Sequence, residues 1–596
     1  MGTSTTIEAV SQLNSSAYER VQERIMRQTL EALWFEGILP YERGEGDIWQ
    51  TEGRNAAGQA VMYSCRAAAK LSFGRIRIEP GTIQREGQRC VDVHLFLHEL
   101  VSERLEGERI QPFIQELLET LAKDSQCQAA LHDQIPAQDK HYDALESYMT
   151  DGHPYHPSYK SRLGFSLRDN AAYAPEFNPE VRLYWVAVHQ DWADTAVSAQ
   201  FDAQALYAQH LTASDRQRFT AQIAVHGDPQ QYTLLPVHPW QWEHRIEPAF
   251  TRQRFDGILI PLGAAEATYR PQQSIRSLSS RVTAEAPYVK LALHMTNTST
   301  SRILAHHTTQ NAPLISDWLH GLIQQDTLLQ EQGFAILREM IGVSFRYAEL
   351  PTLQYGEAYG SLGTIWRENI TGKLSAQEQA WPLNAVSLIQ PNGQPFAAEA
   401  IARHGVEAWS KALIRAVVLP IVHLLYAHGI ALESHAQNII LVLENELPKR
   451  IIVKDLHDGV RYVPEQLLYP EQAPKLHPIP ETHRKFNRYS FIHAETVAEV
   501  RDYTYDAFFF ICMTDLAFTL ERFGLPEAAF WKLCADTITN YQRQHPQYAA
   551  RYDDYDLFAP DALIEEMTKR RLYGDSELYF RSVSNPLQLA RDGHFQ

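Results

Sequence analysis

The chain has 596 residues, 44% of them hydrophobic and 21% charged, with a formal net charge of −18. That length exceeds what one hydrophobic core supports, so about two to four domains are expected, and the composition is that of an ordinary globular protein. So acidic a surface repels phosphate backbones and excludes nucleic acid as a partner. The five scattered cysteines, odd in number and without a CxxC pair, exclude a disulfide framework and a structural zinc site and fit a reducing cytoplasm.

The N-terminal stretch MGTSTTIEAVSQLNSS lacks the basic, apolar and cleavage-site pattern of a signal peptide. Its MGxxxT start matches a myristoylation pattern only at the level short motifs reach by chance. Residues 18–36 place Val21, Ile25, Leu30 and Leu33 near one helical stripe, with Gly37 as a stop. Short alternating segments follow, RIRIE at 75–79 and VDVHLFLHELV at 91–101, then helix-like sequence to about residue 131. Pro, Asp and Gln cluster at 133–140 and predict a boundary. A middle region from near 145 holds strand candidates at 181–188, 257–263 and 288–295. In the last of these, alternation sends Val289, Leu291, Leu293 and Met295 to one face and Lys290, Ala292 and His294 to the other. From about 400 the chain turns helical. The apolar stretch KALIRAVVLPIVHLLYAHGIAL carries Lys411, Arg415, Pro420 and His423, and reads as a buried helix, with no membrane partner. No repeat or low-complexity segment is present. Mixed strands and helices without regular βαβ alternation predict an α+β fold.

Residues 428–459, HGIALESHAQNIILVLENELPKRIIVKDLHDG, concentrate polar side chains around two apolar strands. Glu433, His435, Gln437 and Asn438 precede the strand at 439–443; Asp455, His457 and Asp458 follow the strand at 451–453, with a polar turn at 444–450 between them. An antiparallel pair would bring the two groups onto one surface. An Asn before one strand and an Asp after the next is how kinase-like phosphotransferases hold nucleotide Mg²⁺, and such oxygens suit that ion. The chain has no HRD, DFG, glycine-rich or Walker motif. The alternative reading is a polar hairpin with satisfied side chains.

Four further stretches carry cations: GHPYHPSYKSRLGF with His153, His156, Lys160 and Arg162; PVHPWQWE; QQSIRSL with Ser274 and Arg276; and VKLALHMTNTSTSR with Lys290, Thr298 and Arg302. Taken singly, each cation is a solvated face and each Trp is packing. Taken together with GSLGTIWRE (360–368), ALESHAQN, VKDLHDG and TKRRLY (568–573), in this order, they resemble the NRPS-independent siderophore (NIS) synthetases, the aerobactin synthase-like family. The resemblance covers residues 150–573, and the N-terminal third fits by position. It implies a cupped hand with a thumb (1–144), fingers with nucleotide-binding motifs (145–399) and a mostly helical, distantly kinase-like palm (400–596). It implies ATP and Mg²⁺ as cofactors. A citrate-derived carboxylic acid is adenylated and passed to a polyamine, diamino acid or other amine, in a cytoplasmic homodimer.

By the same resemblance, His156, Ser274, Arg276 and Lys290 face the nucleotide and its phosphates. Thr298, Arg302 and His435 lie near the α-phosphate or the carboxylate, with His435, Arg302, Lys290 and Thr298 as the catalytic set. Gln437 and Asp455 join the nucleotide side, and Glu433, Asn438 and Asp455 the metal. Leu456 stands where the family often has an aromatic. The motifs look most like the group that acts on citrate already amidated; free citrate and 2-oxoglutarate are the alternatives. The chemistry is intelligible: a carboxylate is a poor acyl donor, and AMP is a good leaving group. Bringing a polyanionic acid against a triphosphate costs about 4 kcal/mol per pair of like charges at ~4 Å and an effective dielectric near 20, so fixed cations must offset it. Other classes stay open: a kinase-like phosphotransferase that releases ADP, and a binding or scaffold protein with an idle constellation.

Overall fold

The computed structural model describes residues 15–131, 140–149, 151–298, 300–390, 392–485, 491–574 and 577–594. The boundary expected at 133–140 lies, Lys140 apart, outside the described residues.

The first helix, Ser15–Phe35, buries Val21, Ile25, Leu30 and Leu33 as its stripe requires, and ends where Gly37 adopts φ +66°. It packs on the helix Ile110–Leu131. A six-stranded antiparallel sheet, built round the hairpin Ile48–Arg54/Ala60–Ala69, lies in the same region. The alternation read at 91–101 is a correction: the segment is helical, Val93–Leu97 followed by a π turn, His98–Ser102. The Asp92 side chain accepts the backbone N–H groups of His94 and Leu95 and so starts the helix. Val93, Phe96, Leu97 and Leu100 are buried at helical spacing, which the accidental alternation of Val91, Val93, Leu95 and Leu97 hid.

The middle of the chain forms an eight-stranded sheet in which every pairing is antiparallel. Its order is Ala193–Val197, Glu339–Phe345, Gly363–Arg367, Tyr288–Leu291, Ser277–Ser280, Leu259–Pro271, Val181–His189, Tyr232–Val237. The strand expected at 288–295 is two strands. Tyr288–Leu291 stays in the large sheet, whereas Leu293–Asn297 leaves it to pair with Thr300–Arg302. The break at Ala292 lets Lys290 and Arg302 reach one cavity from different sheets; His294 instead turns to Gln241.

Strands Ile439–Glu444 and Leu447–Val453 form the expected hairpin, within a four-stranded sheet flanked by Glu378–Pro382 and Ala335–Ile336. The turn is tighter than 444–450: only Asn445 and Glu446 lie outside the strands, at φ +53° and +63°, the left-handed pair that a two-residue hairpin turn requires. Helix Val406–His423 packs on this sheet. Among the described residues one helix, Val406–His428, is long and apolar enough to cross a membrane, and 72% of its apolar window is buried inside the protein.

The largest apolar core joins both ends of the chain. Phe35 stacks on Phe510 at 5.7 Å, with Tyr155 edge-on to both, and the Glu36 carboxylate accepts the N–H groups of Thr568 and Lys569. A second core, around Trp185 and Trp366, fills the large sheet. The fold is thus mixed α and β, and a cavity opens between the two cores' surroundings.

Candidate active site

The hairpin register pairs Ile439 with Val453, so the residues before the first strand lie beside those after the second. Both groups line a cavity of about 770 Å³. His156, Ser274, Arg276, Lys290, Thr298, Arg302, Glu433, His435, Gln437, Asn438 and Asp455 all line it. The loop 433–438 is fixed by its own backbone. Glu433 N–H donates to Gly459 O (2.7 Å), Asn438 N–H to His435 O (2.9 Å) and Lys454 N–H to Asn438 O (3.0 Å). Gly459 is obligatory there, because a Cβ would sit 2.5 Å from the carbonyl oxygen of Asp455.

Asp455 is the electrostatic centre. Its Oδ1 accepts Lys290 Nζ at 2.9 Å and also the Arg367 guanidinium. Burial alone would raise its pKa, but Lys290 and Arg367 outweigh that and hold it well below the carboxylate range. Lys290 shows the reverse balance: burial pulls its pKa down to about 8 despite Asp455. Lys290 also meets His457 Nε2 at 3.2 Å, and His457 Nδ1 meets the buried Glu339 at 2.5 Å. Arg276 lies deep in the same wall, its pKa lowered to about 10 by burial and then by Arg302. Its guanidinium donates to the carbonyls of Arg302 (3.0 Å) and Ile303 (2.8 Å), so it positions the strand that carries Arg302. Arg302 in turn donates to Asn297 O and Thr298 Oγ1.

The backbone here is strained. Arg162, Thr298 and Asp455 line the cavity at φ +39°, +59° and +64°, and Ile275, between Ser274 and Arg276, has φ +67°. Left-handed conformations in such residues cost roughly 1–3 kcal/mol each and persist where surrounding contacts impose them. Two other cations of the cavity, Lys160 and Arg162, are already neutralised. Lys160 pairs with Asp124 (2.6 Å) and Glu176 (3.1 Å), and Arg162 with Glu176 (2.7 Å). His156 is buried and held neutral by that burial; His153, half-buried, has its pKa lowered to about 3, chiefly by desolvation. His435 also has its pKa lowered by burial, against Glu433 and Asp455, which favour its charged form.

A family model described as "IucA / IucC family" matches residues 141–388, and one described as "Ferric iron reductase FhuF-like transporter" matches residues 407–580. A Staphylococcus aureus protein named 2-[(L-alanin-3-ylcarbamoyl)methyl]-3-(2-aminoethylcarbamoyl)-2-hydroxypropanoate synthase is 38% identical, over 96% of this chain and 94% of its own length. The chain belongs to the NIS synthetase family. It is an amide-forming ligase of siderophore biosynthesis. A Bacillus anthracis citryl-spermidine/3,4-dihydroxybenzoyl-citryl-spermidine:spermidine ligase is 34% identical, over 98% of this synthetase and 96% of that protein. The crystal structure of the petrobactin biosynthesis protein AsbB from B. anthracis superposes with a TM-score of 0.88 at 32% identity, covering 99% of this synthetase and 98% of that chain.

Several residues of the synthetase's cavity network carried no assignment in the sequence. Arg367 lies within GSLGTIWRE, a stretch that marks the family but whose strand position alone does not show that the guanidinium reaches Asp455. Glu339 is the one charged residue of the wholly buried strand Glu339–Phe345, and that incongruity is a readable signal. His457 and Asp458 are visible as part of the polar cluster, but their partners are distant in sequence: Glu339 and Lys290, on strands, for His457, and Thr308, on the helix His306–Gln325, for Asp458. The acidic residues Asp502, Asp506 and Glu565 enter the cavity from a region that the sequence reads only as helical tail.

Proposed function

We propose that this synthetase activates a citrate-derived carboxylate with ATP, forming an acyl-adenylate and pyrophosphate, and then transfers the acyl group to an amine with release of AMP. The observation that supports this reading is the convergence of Arg276, from the turn before strand Ser277–Ser280, with Lys290 and Arg302, from two further strands, on one cavity with Glu433, Asn438 and Asp455. The cations offset the repulsion between triphosphate and acid. Arg302 can hold a carboxylate through two parallel hydrogen bonds. Lys290, Ser274 and Arg276 serve the phosphates, Gln437 the nucleotide, and Thr298 and His435 the reacting carboxylate and α-phosphate. His156 contributes as a neutral hydrogen-bonding group, since burial denies it a charge.

The donor set of Glu433, Asn438 and Asp455 fits Mg²⁺, a hard cation that takes oxygens. Asn438 donates its amide N–H groups to Glu433 (3.1 and 3.4 Å), which leaves its carbonyl oxygen for an ion; Asp455 keeps one oxygen beyond that bonded to Lys290 and Arg367. A bound Mg²⁺ would neutralise phosphate charge as pyrophosphate leaves.

The acid is a citrate that already carries one amide, and the amine a short diamine or polyamine. The names of the Staphylococcus and Bacillus relatives, both built on amidated citrate, support that choice over free citrate or 2-oxoglutarate. The cupped-hand arrangement of thumb, fingers and palm, divided near 144 and 399, and a cytoplasmic homodimer are part of the same reading. Nucleotide products decide it: with a citrate monoamide and spermidine or ethylenediamine, AMP and pyrophosphate should form in step with amide. ADP in stoichiometric yield would establish phosphoryl transfer instead.

A further inference from the structure

An amine reaches the enzyme as an ammonium ion and has no lone pair to attack with until a proton leaves it. The wall described so far is cationic and repels such a substrate. A second surface of the same cavity is not. The helical segments Val497–Tyr503 and Thr504–Met513 bring Glu499, Asp502 and Asp506 to it, and strand Asp561–Glu565 brings Glu565. The wide π turns of Thr504–Met513 send Tyr505, Phe508, Phe509 and Phe510 into the core and leave Asp506 facing the cavity.

These carboxylates differ in their partners. Asp502 is bonded to Arg501 (2.8 Å), Glu565 to Arg570 (3.0 Å), and Glu499 accepts the N–H of Glu495 (2.8 Å). Asp506 accepts the backbone N–H of Glu565 at 3.2 Å, and no basic side chain of the described residues is bonded to it. It lies within electrostatic reach of Glu433, the first residue of the loop that carries His435 and Asn438. We propose that Asp506 receives the amine substrate, binding its ammonium group and taking the proton that frees the nitrogen to attack. The inference rests on the amide-ligase reading above and adds to it the group that handles the nucleophile.

The titration of Asp506 agrees with that task. Burial first, then Glu565 and Glu433, push its carboxyl up to about 8, near the pH at which a base must both accept and return protons. Tyr503 faces it from the adjoining helix, Arg570 stands behind Glu565, and Arg461 stands near Tyr503. In the reaction the Asp506 carboxylate takes one proton from R–NH₃⁺. The nitrogen lone pair forms the C–N bond at the acyl carbon of the adenylate, and the C–O bond to AMP breaks with its electron pair going to AMP. The second proton lost by nitrogen leaves with AMP or to water.

The test is Asp506→Asn in the full chain, with a citrate monoamide as acid. Acid-dependent ATP–pyrophosphate exchange reads the first half-reaction. Hydroxylamine, largely unprotonated at neutral pH, traps the activated acyl group without needing a base. Spermidine or ethylenediamine reads the complete reaction. Exchange and hydroxamate formation should stay within about threefold of the wild type, while amide formation falls about 100-fold. The limb near pH 8 in the wild-type pH–rate profile should vanish, and Asp506→Glu should restore part of the rate. Amide formation by Asp506→Asn close to wild-type, or equal loss of exchange and amide formation, would overturn the assignment. A wild-type enzyme without acid-dependent exchange would overturn the amide-ligase mechanism itself and this inference with it.

Discussion

Replacing Asp455 with Asn removes one charge from a buried group of three. At the 2.9 Å that separates Lys290 from Asp455, unit charges attract by about 6 kcal/mol at an effective dielectric near 20. Burial already holds the Lys290 pKa at about 8 with that attraction present; without it Lys290 is neutral at pH 7, and Arg367 keeps a buried charge with no carboxylate bonded to it through Asp455. Breaking such a pair costs about 3–5 kcal/mol. An unfolding entropy of about 2.1 cal/mol/K per residue gives ~1.25 kcal/mol/K for a chain this long, so Tm should fall by only about 2–4 °C. Activity should fall much further. Two charged hydrogen bonds, each worth about 1.5–3 kcal/mol, correspond to a roughly 10²- to 10⁴-fold loss. Acid-dependent ATP–pyrophosphate exchange, measured beside a thermal melt, reads both quantities. Exchange within threefold of wild type in a protein that melts a few degrees lower would remove Asp455 from the chemistry.

Arg302→Lys keeps the charge but loses planar two-point recognition, and kcat/KM should drop roughly 10- to 150-fold; turnover near wild type in folded protein would take Arg302 out of the site. The folded pKa of Lys290, about 8, lies below its ordinary 10.5. Its charged form therefore costs about 3 kcal/mol below pH 8, and this penalty fades as pH rises from 8 to 10.5, so its contribution to stability increases with pH there. ATP favours the charged form, so ATP binding should take up a proton near pH 8. Calorimetry in buffers of different ionisation enthalpy measures that uptake, and Lys290→Gln should abolish it; uptake unchanged in the variant would assign the proton elsewhere. Gly459→Ala forces the Asp455 carbonyl away from a Cβ at 2.5 Å. It should destabilise by about 1–3 kcal/mol and weaken ATP binding, and an unaltered nucleotide affinity would show that the Asp455 loop tolerates displacement.

What could be read from the sequence was the part encoded by periodicity and by contiguous motifs. The stripe of Val21, Ile25, Leu30 and Leu33 was legible because 3.6-residue spacing has one solution, and the hairpin 439–453 because two apolar runs flank a polar turn. The segment 91–101 was misread because its alternation and its helical spacing share Val93 and Leu97, and only the Asp92 cap separates them. The break at Ala292 was invisible because it depends on which neighbour each half of 288–295 finds. The candidate residues were legible as clusters, but their partners were not. Arg367 and Glu339 reach Asp455 and His457 from adjacent strands of the large sheet. Pairings across so many residues follow from the order of strands, which no local pattern records. The same holds for Asp506, whose direction is set by a π register that the apolar run of three phenylalanines conceals.

The central claim is that the acid's own oxygen becomes bonded to AMP. A citrate monoamide labelled with ¹⁸O in its free carboxylates, turned over with ATP and an amine, tests it by mass spectrometry of the released nucleotide. The account predicts one labelled oxygen transferred to the phosphate of AMP for each amide formed, and none in pyrophosphate. Label in inorganic phosphate alongside ADP, or AMP free of label, would contradict it.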